Sequence, residues 1–165
     1  MLQGAQIGSI HTLKDFGLYL KVGGKVIGLP EPQKMLQEVR GSDIILDLTR
    51  SVDGEVHYGA RKISLTFLCK APKNRWDTIQ SALANAIHGQ WLRCVFDDDS
   101  TWYWLGLWEV GEPQPDRNAI TFPITGTCNP YKRNITADAG ADWLWDTFDF
   151  ETDTIYDTPT GVISL

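Results

Sequence analysis

One segment of the chain repeats with a helical period, and everything else must be arranged around it. In residues 74–89 the apolar side chains Trp76, Ile79, Leu83, Ala86 and Ile87 recur at spacings of three and four, which puts them on one helix face. Asn74 is placed to cap the first turn, and Asp77 stands where a capping-box acid reaches back. Gly89 suits the left-handed position after the last turn. A single amphipathic helix has to bury its stripe on another layer, and here only strands are on offer. The spacing therefore predicts one helix over 74–88, with Trp76, Ile79, Leu83 and Ile87 as its core face.

The remaining segments read with the period of strands. Residues 6–10 form a short apolar run, 12–17 a turn, and 18–22 a second strand. Gly23-Gly24 is a two-residue hairpin signal between residues 18–22 and 25–27. Pro30 and Pro32 then stop a ladder, because proline has no amide hydrogen to donate. Residues 56–70 hold the best alternation in the chain, with Ile63, Leu65, Phe67 and Cys69 on one face. After the helix, 91–96 and 101–110 pair across an acidic turn, Asp97-Asp98-Asp99-Ser100. Trp102, Trp104 and Trp108 share one parity of the second strand, and Tyr103, Leu105 and Leu107 the other. The strand is thus expected to be covered on both sides or to pack at an interface. A last strand runs over 117–128 with Ile120, Phe122 and Ile124 inward, and Asn129-Pro130 ends it.

Residues 33–70 read as a long excursion, and 35–57 is the part of it expected to contact a neighbouring subunit. They read as an extended piece, a Gly41-Ser42-Asp43 turn, a run apolar on both parities (Ile44, Ile45, Leu46, Leu48), and a second turn at 51–54. The excursion is longer than one sheet face needs. Its apolar run would meet water unless something outside the body covers it. An inter-subunit contact through Ile44, Ile45, Leu46, Asp47, Leu48, Thr49 and Tyr58 is the expectation.

Several function classes are set aside. The formal net charge of −6 argues against tight non-specific nucleic-acid binding, which needs clustered Lys and Arg. No apolar run is long enough to span a membrane as a helix. The start of the chain lacks a basic region followed by an apolar stretch, so synthesis in a cytoplasm is expected. Cys69, Cys94 and Cys128 lie far apart in apolar segments, which fits buried thiols rather than a zinc site or a disulfide framework. Asp97, Asp98 and Asp99 sit in a row without the spacing of a calcium loop and read as a solvated turn. His11, His57 and His88 stand in separate segments, and no nucleophile–base spacing can be defended. No catalytic residue, metal or cofactor is expected. The alternative is a carbohydrate-binding β-sandwich module that uses exposed tryptophans, and a small hydrolase with acids scattered in loops comes third.

A set of short motifs, in this order, resembles the siphophage distal tail protein family. They are Asp15-Phe16-Gly17-Leu18, Ile27-Gly28-Leu29-Pro30-Glu31-Pro32, Val39-Arg40-Gly41-Ser42-Asp43, Leu46-Asp47-Leu48-Thr49 and Tyr58-Gly59-Ala60-Arg61. A Trp-bearing helix ending His88-Gly89 follows, then Asp97-Asp98-Asp99, Tyr103, Gly106 and Asn129-Pro130-Tyr131-Lys132. The resemblance covers residues 5–132. It implies a mainly β domain, an antiparallel β-sandwich or split barrel with one flanking α-helix and a long β-hairpin arm. It also implies a homohexameric ring at the distal end of a long non-contractile phage tail, in the virion. Such a ring joins the tail tube protein to the tail-tip and receptor-binding proteins, and DNA passes through its lumen without specific binding. The arm locks neighbouring subunits. Two readings of the acidic charge stay open: it lines the lumen, with turns such as Asp97–Asp99 among the contributors, so that the wall does not hold DNA, or it keeps the outer surface soluble. Residues 1–132 are the expected ring-forming domain and 133–165 a docking extension or linker, with Trp145-Asp146-Thr147-Phe148-Asp149-Phe150-Glu151-Thr152-Asp153 resembling the family's linker. Many relatives carry a second, galectin-like domain. Residues 133–165 leave no room for one, so carbohydrate binding by such a domain is not expected.

Overall fold

The computed structural model describes residues 2–137. The order of elements is β1 (Ala5–Ile7), β2 (Ile10–His11), α1 (Thr12–Phe16), β3 (Leu18–Ile27), β4 (Leu36–Glu38), β5 (Ile45–Asp47) and β6 (Arg61–Cys69). A 3₁₀ turn (Lys73–Arg75) leads into α2 (Trp76–Ile87), followed by β7 (Gln90–Phe96), β8 (Asp99–Val110), β9 (Gln114–Pro115), β10 (Ile120–Cys128) and β11 (Arg133–Asn134). The fold is mainly β and antiparallel, with one main helix, as the sequence predicts. One sheet runs β2-β1-β7-β8-β10-β6-β3, with β9 on β10 and β11 on β8. The sheet curls until its ends meet: the amide of Leu20 on β3 donates to the carbonyl of Gln3, just before β1, at 2.8 Å. The result is a split barrel. β4 and β5 form a separate two-stranded ribbon.

The core follows from strand alternation. Ile63, Leu65, Phe67 and Cys69 point inward from β6, and Ile120, Phe122, Ile124 and Cys128 from β10. Trp104 and Trp108 enter from β8, and Ala5, Ile7, Leu18, Cys94 and Phe96 complete the interior. Helix α2 packs on β7 and β8 and adds Ile79, Leu83 and Ile87 to the same cluster, with Trp76 half-buried at its edge. Gly89 has φ 72°, the left-handed conformation that lets the chain turn sharply from helix to strand. All three thiols are free and buried. Burial pushes the Cys94 thiol up, and that of Cys128 to about 12, so both remain protonated at neutral pH.

Three local expectations are corrected. Residues 12–17 are not a plain turn but hold the one-turn helix α1. The carboxylate of Asp15 accepts the His11 amide at 2.7 Å, and the His11 ring accepts the Lys14 amide, a reciprocal cap too short to leave a periodic signal. Gly23-Gly24 is not a hairpin. Leu20 pairs with Phe67 and Lys25 with Leu65, so both flanks run along the same partner, and residues 21–24 bulge out of one continuous strand. Gly23, at φ 72°, makes that bulge possible. The predicted Asn74–Asp77 capping box is not formed: Asn74 lies within the 3₁₀ turn, and the residue before α2, Arg75, provides no side-chain cap. Instead the indole of Trp76 donates to the Ala71 carbonyl at 2.8 Å and ties the helix start to the end of β6.

The acidic turn is exposed, as expected of a solvated hairpin turn, and its carboxylates also reach across the fold. One Asp97 oxygen accepts the Gly4 amide at 2.7 Å and the other pairs with His11 Nε2 at 2.9 Å. Asp98 holds Lys25 on β3 through both oxygens at 2.9 Å, and Asp99 holds Lys132 at 2.8 Å. Partial burial opposes ionisation of Asp97, but the Gly4 amide and His11 outweigh it and keep the carboxyl below its ordinary range. Three adjacent acids thus fasten three distant segments beside the meeting point of the sheet.

Candidate functional site

The excursion that the sequence singles out leaves and re-enters the barrel between neighbouring strands. Chain exits after Ile27 and returns at Arg61, and Ile27 pairs with Ile63. Its two strands are fastened at the root: the Gly28 amide donates to Lys62, the Gln33 amide to His57 and the Gly59 amide to Glu31, each at 2.8 Å. Pro32 and Tyr58 form a β-bridge there, since a proline at this spot needs no ladder amide. The Tyr58 ring meets Tyr131, on the segment after β10, edge-on with centroids 6.2 Å apart. The arm is therefore anchored to two parts of the body.

Farther out the arm is a narrow ribbon. Leu36 pairs with Asp47, Gln37 with Leu46 and Glu38 with Ile45. The Leu48 amide donates to the Met35 carbonyl at 2.8 Å, and the Thr49 hydroxyl accepts the Met35 amide at 3.1 Å. The Asp47 carboxylate accepts the Thr49 amide at 3.0 Å. Hydrogen bonds from the Thr49 side chain and then its amide hold the Asp47 carboxyl below its ordinary range. Asp53 is held down in the same way by the Glu55 amide and by His57, 2.6 Å away. The arm's polar groups thus serve its own turns.

Its apolar groups have no such use. Ile44 is 65% exposed, Ile45 58% and Leu46 46%. The alternation along β5 sends Leu46 to one face of the ribbon and Ile45 to the other, so both faces are apolar. Of the residues predicted for an interface, Ile44, Ile45 and Leu46 lie together on the exposed ribbon. Leu48 is half-buried, Asp47 and Thr49 brace the hairpin base, and Tyr58 sits at the root. The predicted helix face, Trp76, Ile79, Leu83 and Ile87, belongs to the body and not to the arm. Leu29, Met35, Leu36, Val39 and Val52 are exposed on the same excursion too; sequence reasoning took in the last four only as part of the stretch 35–57 and did not single them out. Pro, Gly and charged neighbours break their spacing, so no period marks them; only their number in a stretch without a core partner could have found them.

Of the two alternatives for β8, the first, cover on both sides within the subunit, is not met. Trp104 and Trp108 are core, and the Trp108 indole donates to the Leu92 carbonyl at 3.1 Å. On the outer face Tyr103 is buried but Leu107 is not, and Leu107 lies opposite the exposed Trp91. Among the described tryptophans only Trp91 is exposed, which leaves a sugar platform a single ring. Among the described residues no helix is long and apolar enough to cross a membrane.

Comparison with solved structures finds a likeness to the Dit protein of phage SPP1, described as a paradigm of the hub adsorption apparatus in phages that infect Gram-positive hosts. The TM-score is 0.62 at 12% identity, over 81% of this chain and 53% of that one. The two share a fold, and this chain matches about half the length of that protein. No family model matches the sequence, and no curated protein does.

Proposed function

We propose that the chain is a structural subunit of the distal end of a long non-contractile phage tail. Six copies close a ring that joins the tail tube protein to tail-tip and receptor-binding proteins, and DNA passes through its lumen without specific binding. The observation that carries this reading is the arm: a ribbon anchored firmly at its root, with both faces apolar and exposed. A stable protein rarely leaves such a surface to water unless another surface covers it. The fold likeness to a phage hub protein and the ordered motifs across residues 5–132 support the same reading. The ring needs no enzyme activity, metal or cofactor, only self-complementary surfaces in a closed arrangement.

Each arm docks on the neighbouring body through Ile44, Ile45 and Leu46. Asp98 is paired with Lys25 and Asp99 with Lys132, whereas Asp97 keeps its negative charge against the Gly4 amide and His11. The test is native mass spectrometry of the wild-type chain and of a variant lacking residues 41–53. The wild type should give a closed oligomer of about six, and the variant a folded monomer. A deletion variant that still forms the ring removes the arm as the lock. A wild type that stays monomeric at every concentration removes the ring.

A further inference from the structure

Beside the arm's root lies a cavity of about 280 Å³. Its walls include Lys25 from β3, Arg61 from the start of β6, Phe96 from the end of β7, Trp104 from β8, and Tyr131 and Lys132 from the segment after β10. Lys25 pairs with Asp98 at 2.9 Å and Lys132 with Asp99 at 2.8 Å. Arg61 has no such partner. Its Nε is buried and makes no hydrogen bond, and among the described residues no acid pairs with it. The guanidinium lies over the Trp104 ring, 5.0 Å from its centroid. A guanidinium in this state gains most from a planar, bidentate acceptor, and a carboxylate is the side chain with that shape. The rim of the cavity is apolar: Ile27 and Tyr131 are exposed in its wall, and Tyr58, also exposed, meets Tyr131 edge-on.

The far end of the arm carries the complementary groups. Asp43 stands at the tip beside Ile44, and both are exposed. Asp47 and Asp53 serve the arm's own turns, but Asp43 makes no hydrogen bond or ion pair among the described residues. An unpaired carboxylate beside an exposed isoleucine at the tip thus matches an unpaired guanidinium beside Ile27 and Tyr131 at the root. The two ends of one arm cannot meet. From root to tip the excursion is paired, Gln33 with His57, Met35 with Leu48 and Glu38 with Ile45, so the tip is carried away from its own cavity. Tip and cavity that meet must therefore belong to different copies. The reach suffices: a body of about 100 residues has a radius of gyration of about 13 Å and is roughly 30 Å across. The twelve residues 30–41 advance at most about 40 Å when extended at about 3.3 Å each.

We propose that the Arg61 cavity of each copy receives the Asp43 carboxylate at the arm tip of a neighbouring copy, with Ile44 against Ile27 and Tyr131. Nε and one terminal nitrogen of Arg61 both donate to that carboxylate. The contact presupposes that the arm locks neighbouring copies, and it identifies the surface that receives the arm. Tip and cavity are different surfaces of one chain, so the contact is head-to-tail, the kind from which rings close.

The experiment measures assembly by native mass spectrometry over a concentration series for the wild type, Asp43→Asn, Arg61→Gln and the two changes together. Each single change should raise the protein concentration at half-assembly at least about tenfold, the factor expected when one charge-assisted hydrogen-bonded pair is lost from a contact. The double variant should assemble no worse than the weaker single one, because both changes remove the same pair. Additive losses would overturn the proposal. Asp43→Asn changes only the exposed tip, so the test survives even if Arg61→Gln unfolds. Charge reversal gives a second reading. Asp43→Arg and Arg61→Glu should each fail to assemble alone and should assemble when mixed, because an alternating ring joins opposite charges at every contact. Glu38→Gln, in the ribbon short of the tip, should assemble as the wild type does; a loss equal to that of Asp43→Asn would overturn the choice of Asp43. If deletion of 41–53 abolishes assembly while Asp43→Asn and Arg61→Gln assemble as the wild type, this contact is wrong and the arm remains the lock. A wild type that stays monomeric removes the lock and this contact with it.

Discussion

The barrel and the arm are built from similar apolar side chains with opposite outcomes. In β6, Ile63, Leu65 and Phe67 alternate with polar residues and vanish into the interior. In the arm, Ile44, Ile45 and Leu46 follow one another without alternation and stay exposed. β6 and β10 pair along all nine residues of each, whereas β4 and β5 pair over three. A two-stranded ribbon of that length is marginal alone in water. Local turns, such as the Asp47–Thr49 hydrogen bond, set the arm's shape. The contrast teaches that the body carries its own stability, while nothing among the described residues rewards the arm's apolar surface.

The largest expected effect lies in the body. Leu83 is fully buried beneath α2, and Leu83→Ala should cost about 2–5 kcal/mol, as core leucine truncations do. A loss under about 0.5 kcal/mol in urea melts would put the helix on the surface and erase the contrast, since only surface changes are that mild.

A smaller effect separates two aspartates with the same direction of shift. Asp97 reaches Gly4 and His11 across the fold, and Asp53 reaches only Glu55 and His57 beside it. The Asp97 carboxyl titrates below its ordinary value of 3.8 in the folded state, so its stabilising contribution is complete above about pH 4. That contribution is lost as pH falls through the lower folded value. Asp97→Asn should therefore lower stability at neutral pH by about 1 kcal/mol, a figure reduced for its exposure, and should flatten the fall in Tm on acidification. Asp53→Asn should leave the Tm of the body unchanged at both ends of that range. Equal responses from the two variants would mean that arm and body unfold as one unit.

The smallest effect on the isolated subunit is in the arm. Leu46→Ser should change monomer stability by less than about 0.5 kcal/mol, as exposed substitutions do. If that change costs as much as Leu83→Ala, the arm's apolar residues are part of the subunit's own core.

Legibility in the sequence follows the same division. Ile63, Leu65, Phe67, Cys69 and the α2 stripe were readable because burial on one face imposes a period, and the period survives in the residues. The arm was readable as a departure from that rule, although its ribbon register was not, because short turns rather than burial fix it. Gly23-Gly24 misled because a bulge and a hairpin demand the same left-handed glycine, and only the partner strand tells them apart. The Arg61 cavity left no trace. Its walls come from β3, β6, β7, β8 and the segment after β10, and nothing local links residue 25 to residue 132.

The closure of the sheet also has a mechanical consequence. Most neighbouring strands are laced by ladders, so a tensile load across them is shared by many bonds at once. Between β3 and the start of β1 the lacing among the described residues is the Leu20–Gln3 hydrogen bond, with the Asp98–Lys25 ion pair from the β7–β8 turn to β3 beside it. Under a pull that spreads the barrel, those few fasteners carry the whole force and part before any ladder does. The subunit is a hoop with a buckle, and the Leu20–Gln3 hydrogen bond and the Asp98–Lys25 pair are where it yields.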